Sequence, residues 1–277
     1  MSFLLVALVY LIAAAVGVFT YRALSLPVWA TLLVSDVMAT LFTFLCSLVF
    51  TNASVYDPYW SVAPPVILVA FSVGRPLTPL GWLLLAVVSL WAIRLTANWA
   101  YTFGGLLHED WRYGMLKEKT GTLYPVVNLV GIHLVPTLVV YGCVLPAVYA
   151  IRLGLPLTAG SGAFLLLSTL AVLLQGVADA EMHAYRKNRA TPFIRTGVWK
   201  YSRHPNYLAE ILMWWGVALS VIAAAPSLWY LAAGALANTL LFFCVSIPMA
   251  DGRQSRKEGF AEYKRETRML LPIPKHK

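Results

Sequence analysis

Three stretches of this 277-residue chain set ionisable, amide and aromatic side chains at helical spacing inside otherwise apolar runs. Trp91, Arg94, Asn98 and Tyr101 follow steps of three, four and three. Gln175, Asp179, His183 and Arg186 follow four, four and three, and Asn206, Glu210 and Trp214 follow four and four. Residues three or four apart share a helix face, so each set forms one polar stripe. Tyr124, Asn128 and Asn238 add polar groups to two further apolar segments. Such groups are expensive in a bilayer and are functional candidates by default. Interhelical glue is the alternative reading, but it needs only one or two such residues per helix. The recurrence of three or four together favours a shared polar cavity. Asp36 stands alone on its segment and reads as glue or as half of an ion pair.

The inventory limits the chemistry. The chain has no Gly-x-Gly-x-x-Gly, no Walker loop and no Gly-x-Ser-x-Gly elbow. His108, His133, His183, His204 and His276 never pair at ligand spacing, so no metal is expected. Cys46, Cys143 and Cys244 sit in apolar runs and read as small hydrophobic filler. What remains is Arg, Asn, Tyr and carboxylate running toward basic segments. That set suits a phosphate-bearing cofactor that brings the difficult chemistry with it. Arginine forks match phosphate oxygens, and Asn or Gln can read an amide or adenine edge.

The elements that must carry these stripes are membrane helices. The chain is 60% hydrophobic and 12% charged, against roughly half and a quarter in soluble domains. About 20 apolar residues cross the hydrocarbon layer, and the runs imply spans near 2–23, 27–51, 61–74, 80–104, 123–151, 162–183, 207–224 and 228–249. The third is short and contains Pro64 and Pro65. The expected fold is therefore all-α, a polytopic bundle of seven to eight transmembrane helices with basic loops. Without a basic start or a cleavage motif, Ser2 to Tyr21 reads as a retained span rather than a signal peptide. Lys and Arg concentrate in 105–122, 184–206 and the tail after Met249, including Lys275 and Lys277. The positive-inside bias then puts all three segments, with the C-terminus, on the cytoplasmic side of an inner membrane. The net charge of +9 fits anionic lipid headgroups or a phosphorylated cofactor. A nucleic-acid surface is not expected, because the basic loops are short and belong to membrane spans.

The segment Arg203-His204-Pro205-Asn206-Tyr207-Leu208-Ala209-Glu210, with Trp214 and Trp215, resembles the steroid 5α-reductase family, its bacterial members above all. Arg-His-Pro-x-Tyr is also found in sterol C14-reductases and isoprenylcysteine carboxyl methyltransferases, so alone it marks a superfamily. Tyr56-Asp57-Pro58-Tyr59-Trp60-Ser61-Val62-Ala63-Pro64, Trp91-Ala92-Ile93-Arg94-Leu95 and Glu109-Asp110-Trp111-Arg112-Tyr113 narrow the resemblance. So does Phe260-Ala261-Glu262-Tyr263 leading to Leu271-Pro272-Ile273-Pro274. The likeness runs from residue 54 to 277 and implies a reductase domain there, after two unmatched N-terminal spans in 1–53.

The resemblance implies an NADPH-dependent oxidoreductase that saturates a carbon–carbon double bond conjugated to a ketone, as in a Δ4-3-ketosteroid. It implies cofactor contacts at Gln175, Asp179, Arg186, Arg195, Arg203, His204, Asn206, Tyr207, Glu210 and Tyr263. Arg203 also reads as a positive-inside anchor, His204 as a helix cap and Tyr263 as an interfacial anchor. Asp57 falls near the carboxylate that binds the ketone, and Trp60, Trp91 and Asn98 would line an apolar substrate entering from the lipid. The family pairs a glutamate with a tyrosine; here the acid is the shorter Asp57, and Trp91 stands where the tyrosine is expected. Tyr59, Tyr101 or Tyr56 would then supply the phenol. Two rivals stand beside this reading: an S-adenosylmethionine-dependent methyltransferase of a lipidic acceptor, and a non-catalytic lipid carrier.

Overall fold

Each long apolar run folds as a helix, because no water is present in the bilayer core to satisfy exposed backbone groups. The structure, a computed structural model, describes residues 1–273. Pro274, Lys275, His276 and Lys277 lie outside the described residues. The elements are α1 (Ser2–Ala23), α2 (Val28–Val49), α3 (Tyr59–Ser72), α4 (Pro79–Thr102), α5 (Trp111–Thr120), α6 (Tyr124–Val127), α7 (Val135–Leu153), α8 (Ala159–Lys187), α9 (Pro205–Ala224), α10 (Ala233–Leu241), α11 (Ile247–Gln254) and α12 (Phe260–Glu266). π-helical turns at Asn128–Leu134 and Phe242–Ser246 join α6 to α7 and α10 to α11.

Among the described residues, seven helical runs are long and apolar enough to cross a membrane: α1, α2, α4, Trp111–Leu153, α8, α9 and Pro226–Gln254. The protein is an all-α polytopic membrane helix bundle. The short third segment resolves the expected count. α3 has 14 residues with Pro64 and Pro65 inside it, and at 1.5 Å per residue it falls short of a hydrocarbon layer about 30 Å thick. The fifth run starts twelve residues earlier than hydropathy alone suggests. Asp110 caps α5 by accepting the Arg112 N–H at 2.9 Å, so the charged stretch with Lys117 and Lys119 is helical as well.

The chain forms two compact units, Met1–Pro76 with Val88–Tyr149, and Leu77–Val87 with Ala150–Lys277. In the first, α1 and α2 pack through small residues, Ala13 and Gly17 on one helix and Ser35 and Ala39 on the other. Asn52 fixes the turn after α2, accepting the Ser54 N–H at 2.8 Å and donating to the Leu106 carbonyl at 2.7 Å. Tyr10 reaches the same turn and donates to the Val55 carbonyl at 2.7 Å.

In the second unit, α8 and α9 approach closely at Gly216. A Cβ there would lie 2.1 Å from Ser168 Oγ and 2.7 Å from the Phe164 carbonyl oxygen. Ser168 in turn donates to the Met213 carbonyl at 2.9 Å. Gly216→Val should therefore push the two helices apart. Overpacking of this kind costs about 1–3 kcal/mol or more, read as a lower melting temperature of the purified protein. An unchanged melting temperature would show that the helix contact is loose.

Candidate functional site

The stripes on α8 and α9 meet at Glu210. Its carboxylate accepts from Gln175 Nε2 at 2.5 Å and from Trp214 Nε1 at 2.9 Å, so one acid joins both helices. Gln175 is 1% exposed and Glu210 6%. Because Glu210 needs a donor, the Gln175 amide is held with its nitrogen toward the acid and its oxygen away. That oxygen and Asn206 Oδ1 are both buried without a hydrogen-bond partner. Unmet buried acceptors are uncommon in folded proteins and ask for an explanation. They fit a ligand that supplies N–H donors, such as a carboxamide.

One and two turns beyond Gln175, Asp179 and His183 are half-buried, and Arg186 is exposed in the last turn of α8. Arg195 is exposed in the following loop. Glu181 pins that loop by accepting the Val198 N–H at 2.9 Å. This requires a glycine next door: Gly197 has φ +57°, and a Cβ on it would sit 2.1 Å from the Glu181 carboxylate.

Arg203, His204 and Tyr263, for which the resemblance implies cofactor contacts, all bond to other groups of the second unit. Arg203 Nη2 donates to Asp251 Oδ2 at 3.0 Å and Nη1 to the Thr267 carbonyl at 2.7 Å. His204 Nε2 pairs with Asp251 Oδ1 at 2.9 Å, and its ring stacks on Tyr207 at 5.1 Å. The backbone N–H groups of Arg203 and His204 donate to the carbonyls of Arg268 and Met269 at 3.0 and 3.2 Å. Tyr263 donates its hydroxyl to the Trp199 carbonyl, and burial holds the phenol above its usual range. Together these groups clamp the C-terminal segment against the entrance to α9. Asp251, the centre of the clamp, is not among the residues that helical spacing or the resemblance singles out. The signal available was an acid at the end of the last apolar run.

In the first unit, Asp57 lies just before α3, and its phenol partner is none of the three expected tyrosines. Tyr113 of α5 donates its hydroxyl to Asp57 Oδ1, and Arg112 Nη2 stands 3.6 Å from the same oxygen. Tyr59 instead donates to Asp36 Oδ1 at 3.0 Å. Tyr56 shares a 2.7 Å hydrogen bond with Thr137 Oγ1, and Tyr101 is 61% exposed. Trp91 is fully buried and lies 6.0 Å from Trp60, while Asn98 is half-buried on α4. Burial raises the Asp57 carboxyl to about 6. Arg112 and the Tyr113 hydroxyl pull it down in part, and Asp110 and Glu109 push it up. Glu109 is held by Lys117 Nζ at 2.6 Å and by the Ala53 N–H at 2.9 Å. Asp57 is thus the half-buried acid of a polar network built on α5.

Among the described residues, seven membrane-length helices define an integral membrane protein, with a polar constellation in each compact unit. Residues 43–267 match the family model described as a protein of unknown function, DUF1295, and the chain belongs to that family. No curated protein and no solved structure matches the chain.

Proposed function

We propose that the protein is an NADPH-dependent reductase of a conjugated enone in an apolar molecule, related to the steroid 5α-reductases. The observation that carries this reading is the Gln175–Glu210–Trp214 constellation with two unmet acceptors, Gln175 Oε1 and Asn206 Oδ1. Gln175, Asn206 and Glu210 are residues for which the family resemblance implies cofactor contact. NADPH, when bound, supplies the hydride. Gln175 and Asn206 would accept from its carboxamide, with Glu210 fixing the Gln175 amide, and Arg186 and Arg195 would hold its phosphates. Arg203, His204 and Tyr263 are assigned to holding the C-terminal segment.

The chain's own part at the substrate is to hold a proton where enolate charge develops. Asp57 and Tyr113 form an acid and phenol pair, and a donor aimed at a developing oxyanion is worth several kcal/mol in a dry site. Asp57 can donate only while neutral, so activity should fall as pH rises through about 6. The stability effect has the same sign. The native carboxyl binds its proton more tightly than the unfolded one, whose value is about 3.9. The contribution of neutral Asp57 is therefore complete below about pH 4 and lost as pH rises through about 6. A pH–rate profile that is flat from pH 5 to 8 would remove Asp57 as the donor.

The basic loops and the C-terminus are assigned to the cytoplasmic face of a bacterial inner membrane, where NADPH is available. The test is melting of the purified protein with NADPH, NADH and S-adenosylmethionine, then enone-dependent NADPH oxidation with testosterone or progesterone. Stabilisation by S-adenosylmethionine alone would make the protein a methyltransferase, and no response to any of the three would favour a carrier. Arg186→Gln should weaken NADPH binding about tenfold or more, the scale of one charge-assisted hydrogen bond, and leave the unliganded melting temperature unchanged. Undiminished affinity in that variant would withdraw Arg186 from the site.

A further inference from the structure

A cavity of about 470 Å³ lies among α1, α2 and α3 in the first unit, within the size range of small-molecule sites. Its wall is apolar along Ala14, Val18, Leu32, Val62, Val66 and Ile67. Aromatic contacts mark its two ends. Tyr10 meets Tyr59 at 5.7 Å between ring centroids, and Tyr21 meets Phe71 at the same distance. From Tyr59 to Phe71 the helix rises about 18 Å at 1.5 Å per residue. The space is therefore long enough for an extended lipid chain or a fused-ring molecule.

The single acid in this wall is Asp36, 8% exposed and in the interior of α2. Among the described residues, its only hydrogen bond is the one accepted from Tyr59 at 3.0 Å. A carboxylate offers about four acceptor sites, so one phenol leaves most of them unmet. A pair acting only as glue would be packed on all sides, whereas Asp36 and Tyr59 both line the cavity. The remaining charged lining residues, Arg22 and Arg75, are exposed and lie beyond the Tyr21–Phe71 end. The reaction assigned to Asp57 and Tyr113 uses none of these groups.

We propose that this cavity binds an elongated, uncharged lipid alcohol whose hydroxyl is held by Asp36, with Tyr59 fixing the acid in place. The hydroxyl follows from donor and acceptor accounting. Tyr59 spends its one proton on Asp36, so the ligand must donate to an ionised Asp36 or accept from a neutral one. A hydroxyl does both, a ketone or ether does only the second, and a hydrocarbon does neither. A carboxylate or phosphate headgroup would be repelled by an ionised Asp36. The inference stands apart from the reductase reading, because it concerns different residues and is tested by binding alone.

The probe is radiolabelled farnesol, titrated against the full-length protein in detergent micelles. Unlabelled farnesol, farnesene, farnesyl methyl ether and oleate serve as competitors. Farnesol should compete at least about tenfold better than farnesene or the ether, the scale of a hydrogen bond to a charged group. Asp36→Leu should remove that preference, and Asp36→Asn, which keeps a donor and an acceptor, should stay within a few-fold of the native protein. Ala63→Phe narrows the cavity from α3 without changing the pair, and should abolish binding. It therefore keeps the test intact should Asp36→Leu fail to fold. Farnesene competing as well as farnesol, or full binding by Ala63→Phe, would overturn the proposal. Displacement chiefly by oleate, lost in Arg22→Gln or Arg75→Gln, would show an anion site at the other end and would overturn it too.

Discussion

Replacing Asp251 with leucine should be strongly destabilising. The carboxylate neutralises Arg203, is bonded by His204, and has Lys264 Nζ at 3.8 Å. Arg203 is 7% exposed, so removing the acid leaves a guanidinium buried without its counter-charge. Breaking a buried pair from one side typically costs about 3–5 kcal/mol, whereas replacing both partners with apolar groups is often close to neutral. Asp251→Leu should therefore melt far below the native protein, and Arg203→Met with Asp251→Leu should recover most of the loss. The double variant also separates two roles for Arg203. If the guanidinium only clamps the C-terminal segment, NADPH affinity should survive in the double variant. If affinity collapses although the melting temperature is restored, Arg203 touches the cofactor.

The second large effect is expected at Asp57. Asp57→Leu removes the acid of the acid–phenol pair and should lower enone-dependent turnover by about 100-fold or more, as loss of one oxyanion donor does. The NADPH-induced shift in melting temperature should remain. Asp57→Asn keeps an N–H donor and should retain measurable activity without the decline above pH about 6 expected from ionisation of Asp57. Tyr113→Phe should lower turnover without changing cofactor affinity. Normal turnover in Asp57→Leu would take both residues out of the reaction.

Local periodicity carried the sequence reading a long way. The steps of three and four on α8 and α9 placed Gln175 and Glu210 on facing stripes, and they meet at 2.5 Å. The long apolar runs gave the all-α membrane architecture for the same reason, since each is a property of one continuous segment. What escaped were partnerships between distant segments. Asp57 takes its phenol from Tyr113, 56 residues away, rather than from a neighbouring tyrosine. Tyr59 turns to Asp36, which a one-helix view left alone. Asp251 gathers Arg203 and His204 across 48 and 47 residues. Nothing in the spacing of residues along one helix specifies these pairings. They follow from how helices pack, which residue types alone do not fix.

The clamp at the entrance to α9 also has a consequence for biosynthesis. Arg203 and His204 are bonded through their backbone to Arg268 and Met269, and through their side chains to Asp251. α9 can thus enter the bilayer while its leading loop still lacks the C-terminal segment that closes it. Closure needs residue 269, 15 residues beyond Gln254, so it follows synthesis of the last membrane-length helix. Nascent chains stalled before that point should carry inserted helices and an open, protease-sensitive loop at 188–204. Quality-control proteases that cut exposed loops would then distinguish unfinished chains from finished ones.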